Sequence, residues 1–126
     1  MRTGFGLSLL FGLALVVLLT IGLVACKASG RGVTVTVNNA SGGEIANLQV
    51  KFTGGSKTLP KLKSAESFVT QVNPIGESHL VVEFVDSSGK QHSVKVDVYF
   101  EHNYSGTIHV TIGRDGKVTW KDETKV

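Results

Sequence analysis

The sequence predicts an all-β domain, a small antiparallel sandwich of about seven or eight strands. Three observations predict it. From residue 32 onward apolar and polar residues alternate with a period of two, the signature of a sheet with one buried face. The apolar positions are filled mostly by Val and Ile, whose branched side chains suit a pleated surface. Clusters of Gly, Asn, Asp and Ser separate the runs about every eight to twelve residues, and no segment after residue 32 carries a helical period.

Taken in order, Val33, Val35 and Val37 alternate with Thr34 and Thr36 and give a first strand with one apolar face. Residues 38–43 (NNASGG) break it, because Asn, Ser and Gly tolerate turn and left-handed conformations. Residues 45–52 form a second strand, with Leu48, Val50 and Phe52 on one face and Gln49 and Lys51 on the other. Residues 54–57 (GGSK) turn the chain, and residues 58–63 fit an edge strand, since Pro60 has no N–H to give to a ladder. Lys57, Lys61 and Lys63 keep such an edge solvated and resist pairing with another chain.

Residues 66–72 make a further strand, ended by the turn Asn73-Pro74-Ile75-Gly76. Leu80, Val82 and Phe84 line the inner face of the next, and residues 86–90 (DSSGK) join it to Val94, Val96, Val98 and Phe100 in the clearest hairpin of the chain. After a turn over residues 101–106, Ile108, Val110 and Ile112 alternate with Thr107, His109 and Thr111. Asp115-Gly116 then leads into a last strand carrying Val118 and Trp120. The architecture resembles an immunoglobulin-like sandwich, without the cysteine and tryptophan spacing of antibody domains.

The front of the chain is of another kind. Residues 5–25 (FGLSLLFGLALVVLLTIGLVA) carry no charge, behind an N-terminal amine and Arg2, which is the order of a secretory signal. As a hydrophobic helix this stretch would be roughly 30 Å long, also enough for a retained anchor, so length alone does not separate the two. The positive-inside rule does not separate them either, because Arg2 on one side faces Lys27 and Arg31 on the other.

Leu23-Val24-Ala25-Cys26 resembles a bacterial lipobox, and Cys26 is the single cysteine of the chain. A thiolate is the nucleophile that thioether formation needs, and small Ala25 leaves the bond before Cys26 accessible to a peptidase. The resemblance implies a signal peptide over residues 1–25, cleavage between Ala25 and Cys26, lipidation of Cys26, and a membrane partner reached through that lipid. It implies a location in the bacterial cell envelope outside the cytosol. Lys27 in place of an aspartate after the lipidated residue points to the outer membrane where the cell has one. The linker over residues 26–31 is short, so the sandwich of residues 32–126 would stay within about 18 Å of its anchor.

One cysteine allows no internal disulfide, and the domain depends on its core. A chain of its size buries roughly 60–65% of the surface exposed when unfolded, which is sufficient. Of the 13 basic residues only Arg2 precedes Cys26, and the rest are dispersed against 10 acidic ones, so no basic surface of the kind that binds nucleic acid is expected. No Gly-x-Ser-x-Gly elbow, His-Glu-x-x-His pair or phosphate-cradling loop occurs, and no enzyme is expected.

The four histidines, His79, His92, His102 and His109, share no tight ligand spacing, and neither a metal nor a cofactor is expected. If the strands of His79 and His109 were neighbours, those two rings alone would come close enough to share a cation. Tyr99, His102 and Tyr104 form the densest aromatic and polar group and are the candidate interaction surface, with Tyr104 also fitting a corner tyrosine. The chain therefore reads as a lipid-tethered module contacting an envelope protein or a cell-wall polymer. The alternatives are an inhibitor or immunity-type lipoprotein acting on an envelope hydrolase, a carrier with a cavity between its sheets, or a β domain held by an uncleaved membrane helix.

Overall fold

A computed structural model of the chain describes residues 32–126. The predicted signal of residues 1–25, the Ala25–Cys26 cleavage site, the expected lipidation at Cys26 and the linker of residues 26–31 lie outside the described residues. Eight strands follow one another: β1 (Val33–Asn39), β2 (Ile45–Phe52), β3 (Gly55–Leu62), β4 (Ser67–Val72), β5 (Ser78–Val85), β6 (Gln91–Phe100), β7 (Ser105–Ile112) and β8 (Val118–Lys125). Among the described residues a single 3-10 turn, Arg114–Gly116, interrupts them. The strands form two four-stranded sheets, ordered β4-β1-β7-β8 and β3-β2-β5-β6.

The alternation seen in the sequence assigns the faces. Val33, Val35 and Val37 of β1, Ile108, Val110 and Ile112 of β7, and Leu80, Val82 and Phe84 of β5 are all buried. Ile45, Leu48 and Val50 of β2 and Val96, Val98 and Phe100 of β6 complete the facing layer. Each such side chain contributes about 1.5–3 kcal/mol by leaving water. Of the four edge strands, three give little to this core: Leu62 and half-buried Leu59 from β3, Val72 and half-buried Phe68 from β4, and half-buried Val118 from β8. As Pro60 suggested, β3 is an edge strand, and Lys57, Lys61 and Lys63 around it are exposed.

Two expectations need correction. The sandwich is not wholly antiparallel, because β1 pairs with β7 in parallel, Val35 opposite Ile108 and Val37 opposite Val110. The strand order also differs from the immunoglobulin one, in which the first, second, fifth and fourth strands share a sheet. Here β1 and β2 lie in opposite sheets. The link after β1 crosses between the sheets because buried Asn39 holds it there. Its Nδ2 donates to the carbonyls of Gly43 (2.8 Å) and of Leu62 on β3 (2.9 Å), while its Oδ1 accepts from the Ser41 hydroxyl (2.6 Å) and the Ser41 N–H (3.1 Å). With no hairpin partner, β1 takes β4 on one side and β7 on the other.

Candidate functional site

The outer face of the β3-β2-β5-β6 sheet carries the candidate site. It begins with a defect in β2. Ala46 opposes Val85 and Gln49 opposes Glu83, so one extra residue of β2 stands against β5. Asn47, inside this bulge, has φ 51°, a left-handed conformation that Asn tolerates better than most side chains. The period of two is broken here, and both Ile45 and Leu48 turn into the core.

A depression of about 670 Å³ runs across all four strands at this level. It is lined by one triplet from each strand: 47–49, 58–60, 83–85 and 91–93. In every triplet the middle residue (Leu48, Leu59, Phe84, His92) belongs to the inward-facing set, so the floor is backbone and the flanking residues form two rows. One row is Thr58, Gln49, Glu83 and Ser93, paired in that order across the sheet. The other is Pro60, Asn47, Val85 and Gln91. The lining is thus three amides, two hydroxyls, one carboxylate and two small apolar groups.

The carboxylate is already engaged. Glu83 Oε1 lies 2.8 Å from Lys51 Nζ, and Glu83 Oε2 accepts from the Ser93 hydroxyl at 3.1 Å. The Lys51 and Ser93 bonds hold the Glu83 carboxyl below its usual range. It is a fixed acceptor rather than a proton donor at neutral pH.

Further along the same face a second depression, of about 380 Å³, is lined by Glu77, His79, Lys95, Asp97 and Tyr99 among others. On β5, Val81 stands between the two, and its cross-strand partner Lys95 already lines the second. Tyr99 alternates with buried Val98 and Phe100 and so stands on the outer face, half exposed. Its ring meets that of Tyr104 edge to face, with centroids 6.1 Å apart and planes at 73°. Desolvation by its neighbours, with the Glu101 and Glu77 carboxylates close by, pushes the Tyr99 phenol up to about 12.

Of the sequence candidates, the structure brings Tyr99 and Tyr104 together. Tyr104 packs half-buried on the core, and its N–H donates to the Glu101 carbonyl at 3.0 Å, closing the turn in which His102 stands exposed. His79 and His109 lie on β5 and β7, in different sheets, and cannot share a cation. His109 instead meets Glu123 across the β7–β8 ladder at 2.8 Å. His92 is turned inward, stacked on Phe84 at 4.7 Å, with Nε2 2.8 Å from Asp86 Oδ2.

The transverse depression was not read from the sequence. Its rows join residues more than forty positions apart, and each outward polar side chain alone looks like an ordinary solvated strand face. The one local signal was Asn47, which interrupts the alternation between Ile45 and Leu48.

Among solved structures, the NMR structure of a protein from Eubacterium rectale is similar, with a TM-score of 0.54 and 14% identity over 74% of this chain and 89% of that one. At that identity the likeness is one of fold. No family model matches the chain, and no curated protein matches it in sequence.

Proposed function

We propose that the chain is a lipid-anchored protein of the bacterial cell envelope whose sandwich domain is an interaction module for an envelope protein or polymer. The lipobox-like Leu23-Val24-Ala25-Cys26 after an uncharged run supports the anchor. In this reading residues 1–25 are removed, Cys26 carries the lipid, and residues 26–31 tether the domain. More than one acyl chain gives firm attachment, at about 0.8 kcal/mol per buried methylene.

The observation that carries the module reading is the open, polar outer face of the β3-β2-β5-β6 sheet. Small-molecule sites are concave and bury most of their ligand. This face is shallow and extended. It spans about 14 Å across four strands and about 27 Å from Gln91 to Tyr99 along β6, dimensions that suit a chain-like or protein partner.

Intact mass after expression in a bacterium tests the anchor. Wild-type protein is expected at the mass of residues 26–126 plus acyl chains, and Cys26→Ala at the mass of the unprocessed chain. Wild-type protein retaining its first 25 residues and a free thiol would overturn the lipid anchor and leave a membrane helix in its place.

A further inference from the structure

We propose that the outer face of the β3-β2-β5-β6 sheet binds a neutral glycan chain; this rests on the interaction-module reading and gives its partner a chemical class. The transverse depression supplies the first argument. The amides of Asn47, Gln49 and Gln91 and the hydroxyls of Thr58 and Ser93 line it. Each amide offers donors and an acceptor, and each hydroxyl offers both, which is the pattern that matches a ligand made of hydroxyl groups. Away from the β2 bulge the interior backbone beneath is paired within the sheet, so side chains carry most of the selection.

Charge supplies the second. Lys51 is spent on Glu83 at 2.8 Å, and Lys95 stands among Asp97 and Glu77. The face has no basic excess to attract a polyanion, and the exposed lysines 57, 61 and 63 belong to the β3 edge. Apart from Tyr99, the apolar groups of this face are Pro60, Val81 and Val85, too few to anchor a hydrophobic peptide.

Tyr99 supplies the third. It is 50% exposed at the far end of the same face, and its edge-to-face contact with Tyr104 restrains its orientation. A held phenol ring presents a flat apolar surface on which the C–H face of a sugar ring can lie, with little side-chain entropy to lose.

The test is co-sedimentation of the detergent-solubilised full chain with chitin, cellulose and granular starch, beside heparin-agarose and an albumin control. Retention by at least one of the three neutral polysaccharides, and none by heparin at physiological salt, is expected. Gln49→Ala combined with Gln91→Ala should weaken the retention by about tenfold, as loss of two hydrogen-bonding amides implies. Tyr99→Ala should weaken it as well, while Val69→Ala, exposed on the other sheet, should leave it unchanged. The glycan assignment is overturned if no neutral polysaccharide retains the chain above albumin, if heparin alone retains it, or if the Gln and Tyr99 variants bind like wild type. A photo-reactive residue introduced at position 49 in living cells separates the two levels. A protein adduct without glycan binding removes the glycan and keeps the module, whereas neither adduct nor binding removes both.

Discussion

Asn39 ends β1 with its carboxamide inside the protein, donating to two carbonyls and accepting from Ser41. Truncation to Ala would take the amide donor from the carbonyls of Leu62 and Gly43, the latter keeping only the Ser41 hydroxyl at 3.1 Å, a cost of about 1–3 kcal/mol. Asn39→Asp would be worse, since it sets a carboxylate oxygen against those two carbonyls. Urea unfolding should show both variants with a lowered midpoint and an unchanged slope. Asp86 is another side chain held by several bonds. Its Oδ1 accepts from the Ser88 hydroxyl (2.6 Å), the Ser88 N–H (2.9 Å) and the Lys90 N–H (3.0 Å), and its Oδ2 faces His92. An ionised carboxylate only accepts, so His92 Nε2 carries the hydrogen. The Ser88 and His92 bonds, in that order, hold the Asp86 carboxyl far below its usual range. The folded state therefore binds that proton less readily than the unfolded one, and the stabilisation is present above about pH 4 and lost as pH falls below it. The difference in Tm between wild type and Asp86→Ala should be constant from pH 7 to about pH 5 and shrink toward pH 2, followed by circular dichroism. The sequence placed both residues in turns; Asp86 does open the β5–β6 turn, whereas Asn39 is the last residue of β1. The sequence did not show that Asn39 is buried, because the carbonyl it reaches on Leu62 is 23 positions away.

Two hairpins at one end of the sandwich are joined through a ring. His92, near the start of β6, stacks on Phe84, and Gly116 of the β7–β8 turn lies close to the same imidazole. Gly116 has φ 72°, and a methyl group there would strike the His92 imidazole. The left-handed backbone alone makes Gly116→Ala cost about 1–2 kcal/mol, with the steric clash in addition. Removing the ring removes the clash, so Gly116→Ala combined with His92→Ala should cost less than the sum of the single changes in chemical denaturation. Hairpins such as β5–β6 and β7–β8 were legible because Asp-Ser-Ser-Gly-Lys and Asp-Gly sit between alternating runs. The β1–β7 pair was not legible, since its partners are joined by no turn and both read as ordinary half-buried strands. The candidate site shares that difficulty: its two rows exist only once β2, β3, β5 and β6 lie side by side.

For the molecule as a whole, the aliphatic layer between the sheets is the source of stability, and no disulfide supports it. Phe100 is the largest of the fully buried side chains in that layer. Phe100→Ala should cost about 3–5 kcal/mol, a large share of the 5–15 kcal/mol typical of a folded domain, and the variant is expected to melt far below wild type or fail to accumulate. Fold class was legible because period, composition and turn spacing all agree from Val33 to Trp120. Strand order was not, because the crossings after β1, β3, β4 and β6 depend on bonds between distant residues. The central position of β1 has a mechanical side. Tension entering at Gly32 along the strand axis is met by the β4 and β7 ladders together, which must shear at once instead of unzipping bond by bond. A domain tugged from its N-terminus thus resists with its stiffest seam.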